Sequence, residues 1–69
     1  MTGYLEKLQA WADGTDGYYT IETTDNVLAR WVTIRREDGF CSTAHGETYD
    51  EAASYAAHLL KAKRKTEQR

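Results

Sequence analysis

The stretch Gly17–His45, GYYTIETTDNVLARWVTIRREDGFCSTAH, decides the fold: its side chains alternate with a period of two, and it is rich in the β-branched and aromatic residues that favour strands. In Tyr18–Thr24, Tyr19, Ile21 and Thr23 share one face, while Tyr18, Thr20, Glu22 and Thr24 share the other. A turn at Asp25-Asn26 leads into a second strand expected over Val27–Arg36. There Leu28, Val32 and Ile34 lie on one face with Arg30, opposite Val27, Ala29, Trp31 and Thr33. Glu37-Asp38-Gly39 reads as a hairpin turn whose glycine takes a positive φ, and Phe40–His45 returns as the third strand. Three successive strands joined by short turns predict an antiparallel meander.

Outward from this meander the period changes. Tyr4–Ala12 places Leu5, Leu8 and Ala12 on one stripe with Tyr4 and Trp11 beside it, which predicts a short amphipathic helix. Thr2 is its expected N-cap, and Asp13-Gly14 its stop, with glycine in the left-handed conformation. On the other side, Gly46 ends the third strand and Thr48-Tyr49-Asp50-Glu51 has the form of a capping box. The helix opened there is expected to run to about Lys63. Its stripe is Ala52, Ala56, Leu59 and Lys63, with Tyr49, Ala53, Tyr55 and Leu60 alongside, and alanine on the buried side lets a helix lie close to a sheet. The expected fold is therefore α+β: helix, three-stranded antiparallel sheet, helix, with both helices on one face of the sheet. Residues 1–69 form a single domain with a short basic C-terminal tail, 61–69.

With 69 residues there is no room for two cores. A content of 41% hydrophobic and 29% charged residues excludes a disordered tail or a collagenous chain. No apolar run is long enough to cross a bilayer, and Glu6 and Lys7 interrupt the N-terminal stretch, so the expected location is cytoplasmic. The one cysteine, Cys41, can neither form an intramolecular disulfide nor belong to a multi-cysteine zinc site. The net charge of -2 conceals an asymmetry. Residues 1–60 carry ten acids and four bases, whereas residues 61–69 carry five bases and one acid. A nucleic-acid binder commonly shows a basic stripe across its folded surface, and the acidic body lacks one.

The element order, and the junction Ala44-His45-Gly46-Glu47-Thr48 running into the alanine-rich Tyr49–Ala57, resemble the double-stranded RNA-binding domain. That family enters its last helix through a Gly-x-Gly-x-Ser segment and a lysine cluster that grips phosphates across the major groove. Here the positions at that helix start are Tyr49, Asp50 and Ala53, and Asp50 would repel the phosphates that a lysine attracts. The resemblance implies the topology without the RNA-binding determinants, and no functional residue of that family is carried over.

No catalytic constellation is legible. Cys41 and His45 share a strand face but stand roughly 13 Å apart along an extended chain, which removes a local dyad. His58 is isolated on the last helix, and the glycines are scattered as turn punctuation. No metal and no cofactor is implied, and the chain is not expected to be an enzyme. The aromatic residues are the better clue. Two Trp, five Tyr and one Phe exceed what one thin core can bury, and Trp31 is expected on the open sheet face, beside Tyr18. A second reading packs Trp31 under the first helix with Trp11. The expected partner-binding residues are Tyr18, Trp31, Glu47, Asp50 and Glu51, and the expected assembly is a homodimer. In size and acidity the chain is similar to phage-encoded inhibitors of host defence, including anti-CRISPR proteins, which implies a protein-binding module that blocks a basic site on a partner. The alternative is a nucleic-acid-binding domain that uses the basic tail.

Overall fold

The computed structural model describes residues 3–67, in the order α1 (Tyr4–Asp13), β1 (Tyr19–Asp25), β2 (Arg30–Arg36), β3 (Cys41–Gly46) and α2 (Tyr49–Glu67). The strands form one antiparallel sheet in the order β1-β2-β3, with Ile21 opposite Ile34 and Ile34 opposite Ser42. The period-two pattern sends Tyr19, Ile21, Val32, Ile34, Ser42 and Ala44 to one face, where both helices pack. The α+β fold and its element order are those expected from the sequence.

Small residues set the spacing between α2 and the sheet. Ala52, Ala53 and Ala56 are fully buried against Val32 and Ile34. Ser42 is buried as well, and its hydroxyl donates to the Ala56 carbonyl at 2.7 Å, which satisfies the polar atom that this close approach encloses. Gly46 serves the same end. A Cβ there would lie 3.0 Å from Glu51 Cγ and 3.1 Å from the Ala52 nitrogen. Leu8 and Ala12 of α1 complete the core over β1, with Trp11 tilted on Tyr19 at 4.7 Å between ring centroids.

Four expectations about element ends are corrected. The second strand starts at Arg30, not Val27, because the Asn26 side chain accepts the Leu28 N–H at 3.2 Å and folds Val27-Leu28 into the hairpin tip. Leu28, expected in the core, is 93% exposed, and Val27 is 100% exposed. Gly14 does not take the left-handed form, its φ being -72°. After α1 the positive φ values fall on Asp16 and Gly17, Gly39 taking the one expected in the second hairpin, and Thr15 ties the exit of α1 by donating its hydroxyl to the Ala12 carbonyl and accepting the Tyr19 N–H.

The third correction concerns the capping box, of which only half forms. Thr48 Oγ1 accepts the Glu51 N–H at 3.1 Å, but the Glu51 carboxylate accepts from the Tyr55 hydroxyl instead of reaching back. The fourth is the length of α2, which continues past the expected end near Lys63 to Glu67, so that the basic stretch stays helical as far as Glu67. Its buried stripe runs through Ala57 and Leu60, leaving Leu59 and Tyr55 half exposed. The expected Thr2 cap lies outside the described residues. Gly3 occupies the N-cap position of α1 with no side-chain cap, and the Asp50 carboxylate accepts the Leu5 N–H at 3.0 Å.

Candidate surface for protein binding

The β1-β2 tip, the end of β3 and the start of α2 meet at one end of the molecule. Asp25 pairs with Arg30, Arg30 pairs with Gly46, and the Arg30 guanidinium donates to the Glu47 carbonyl at 2.8 Å while lying over the Tyr49 ring. A shallow depression there is bounded by Asp25, Val27, Leu28 and Glu47. Asp50 and Glu51 follow in the first turn of α2, where carboxylates favour the partial positive charge of a helix N-terminus. This end therefore joins four carboxylates to two bare aliphatic side chains. Arg30 is the one cation among them, and its guanidinium is already engaged.

Trp31 lies close by on the open sheet face. It is half-buried by stacking on His45, its direct neighbour across the strand pair, at 4.6 Å between centroids. The reading that placed Trp31 under the first helix is overturned, since Trp11 occupies that region with Tyr19. Trp31 is also not beside Tyr18. Tyr18 precedes β1 at the opposite end of the sheet, edge-on to Tyr19 and about 6.0 Å from the Arg36 guanidinium. Of the five residues expected to bind a partner, Glu47, Asp50 and Glu51 sit together where β3 passes into α2, Trp31 lies on the open face of the sheet away from the helices, and Tyr18 is at the far end. Asp50 carries a structural load too, because its carboxylate caps α1.

The rest of the open sheet face is polar and internally paired. Thr33 and Thr43 share a hydrogen bond at 3.1 Å, and Arg35 pairs with Glu22 at 3.2 Å. Cys41 is half-buried on this face rather than in the core, and His45 and His58 are exposed. No group of three or more His, Cys, Asp or Glu among the described residues could hold a metal ion. No helix among them is long and apolar enough to cross a membrane.

A second surface lies on the helical side and has the opposite character. Tyr4, Leu8 and Trp11 of α1 and Ala57 and Leu60 of α2 line a groove of about 430 Å³. Its rim is Lys7, Lys61 and Arg64, with no carboxylate among the lining residues. Sequence reading missed this groove because Lys61 and Arg64 were expected in a tail. Once α2 continues through them, the helical period places both toward α1.

The opposite end of the fold is held by Arg36. Its buried guanidinium donates to Asp38 at 2.9 and 2.7 Å and to Glu67 at 2.9 Å with a further short contact, and it lies 4.3 Å from the centre of the Phe40 ring. The hydrogen bonds to Glu67 and then Asp38 hold Arg36 protonated far above ordinary pH, and the same bonds hold both carboxyls below their usual range. With one guanidinium held between two carboxylates, the cluster carries a net negative charge. No known family model matches the chain, nor does any curated protein or solved structure.

Proposed function

We propose that this chain is a small, non-enzymatic protein-binding module that docks its acidic end on a partner protein. The observation that carries the reading is the hairpin tip, where Val27 and Leu28 are 100% and 93% exposed on a turn closed by two backbone hydrogen bonds between Asn26 and Ala29. Burying a side chain of this kind stabilises a complex by about 1.5–3 kcal/mol, and a tip ordered in advance loses little entropy on docking. The carboxylates of Asp25 and Glu47 around it favour a pocket with a basic surround. Proteins that hold nucleic acid present such surrounds, so the module suits a blocking role of the kind that phage-encoded inhibitors, anti-CRISPR proteins among them, perform.

The test is affinity capture with the native chain and with the double substitution Val27→Ser, Leu28→Ser. A partner retained by the native chain, lost with the variant and blocked in its own nucleic-acid binding supports the reading. Capture that is the same with both chains sinks it. Submicromolar binding of duplex RNA that survives neutralisation of Lys61, Lys63, Arg64 and Lys65 would return the function to nucleic-acid recognition.

A further inference from the structure

The two surfaces described above are complementary to each other. One is a pair of bare aliphatic side chains flanked by Asp25 and Glu47; the other is an apolar groove floored by Leu8, Trp11 and Leu60 and rimmed by Lys7, Lys61 and Arg64. We infer that the groove receives the hairpin tip of a second copy of this chain, so that the protein self-associates head to tail. This rests on the tip being a docking element, as in the function proposed above, and adds one occupant for the groove.

Charge selects this arrangement over a symmetric one. Two grooves facing each other would bring Lys7, Lys61 and Arg64 of both copies together, with no carboxylate in the lining to separate them. Two tips facing each other would oppose Asp25 and Glu47 to their own copies. Tip against groove pairs acid with base and buries Val27 and Leu28, which are more exposed than any other large hydrophobic side chain among the described residues. A volume of about 430 Å³ leaves room for both side chains.

The tip is at the α2 N-terminal end of the molecule, whereas the groove runs between the helices on the face away from the open sheet. One copy therefore uses different patches as donor and acceptor. A head-to-tail contact of this kind leaves a free tip and a free groove on every assembly, unlike a two-fold dimer in which both copies exchange tips. The expected behaviour is growth beyond a dimer as concentration rises. It weakens with salt, because the ion pairs at the rim are exposed.

The experiment is sedimentation of the native chain and of two variants, each checked for a native melting curve. Val27→Ser with Leu28→Ser removes the tip and leaves the groove. Lys61→Glu with Arg64→Glu reverses the rim and leaves the tip, and Lys61→Gln with Arg64→Gln serves if the reversal perturbs α2. The native chain should show an average mass that passes that of a dimer, and each variant alone should be a monomer. Mixed, the two variants should form a one-to-one heterodimer and nothing larger, because a single intact tip faces a single intact groove. A native chain that stays monomeric, a dimer indifferent to both variants, or a mixture that does not associate overturns the inference. Loss of partner capture by the tip variant of a chain that is itself monomeric would leave the proposed function standing and remove self-association alone.

Discussion

Arg36, at the end of β2, and Glu67, in the last turn of α2, are 31 residues apart and face each other guanidinium to carboxylate, with Asp38 completing the grip from the hairpin turn. The pairing explains why α2 runs past the point where its apolar stripe ends. Beyond Leu60 the helix buries no further side chain, and a helix end of this kind frays unless something holds it. Arg36 does so, aided by Lys63, whose ammonium donates to the Cys41 carbonyl at 2.8 Å. Glu67→Gln is expected to leave the sheet unchanged and to speed amide exchange in residues 62–67. Unchanged exchange there would mean that the pair does not hold the helix end.

The same cluster sets an acid limit on stability. Asp38 and Glu67 both titrate below their ordinary range, mainly because the Arg36 guanidinium donates to them. A carboxyl with a lowered folded-state pKa binds fewer protons folded than unfolded, so its contribution is complete above the unfolded value of about 4 and is lost as pH falls through the folded one. Urea midpoints measured down the acid range should fall with pH, and the fall should be shallower in the Asp38→Asn, Glu67→Gln double variant. Parallel pH profiles for the two chains would contradict this assignment.

Thr48→Ala is expected to cost about 1 kcal/mol, because the hydroxyl accepts the Glu51 N–H at the start of α2. Glu51→Ala should cost less than about 0.5 kcal/mol, since its carboxylate bonds the exposed Tyr55 hydroxyl and does not complete the cap. Denaturation midpoints of the two variants decide the matter. Equal losses would show that the reciprocal half of the box forms in solution.

Asp50 links the two helix starts, and its loss should be felt in α1. Asp50→Ala removes the acceptor of the Leu5 N–H and is expected to cost about 1 kcal/mol, with loosening of Trp11 visible in its fluorescence. Gly3→Ala should act in the same direction, because its Cβ would come within 2.6 Å of the Asp50 carboxylate. Trp11 emission that matches the native chain in both variants would show that α1 does not depend on this bond.

Close approach of α2 to β3 predicts an asymmetry at Ser42. Ser42→Ala forfeits one hydrogen bond, a loss of about 1 kcal/mol. Ser42→Val adds volume where Ala56 leaves none and is expected to cost about 1–3 kcal/mol more. Thermal melts of the pair would show it, and a valine variant as stable as the alanine one would mean that the layers can separate freely.

The sequence by itself determined the element order, the faces of the three strands and the start of α2, because each depends on local chemistry: a period of two, a period of 3.6, turn residues and a capping threonine. Which face is open was not encoded in that way, and Trp31 stood between the open face and a place under the first helix until the packing of Trp11 on Tyr19 decided it. What joins residues distant in the chain needed the tertiary structure. The Asp50 cap on Leu5, the Arg36 grip on Glu67 and the cationic rim at Lys7, Lys61 and Arg64 bring together side chains whose meeting no local period encodes. The apolar pair Val27-Leu28 shows the same limit from the other side. Its pattern continues that of β2, and only the competing Asn26 side-chain bond and the register of the hairpin turn those residues out of the core and into solvent.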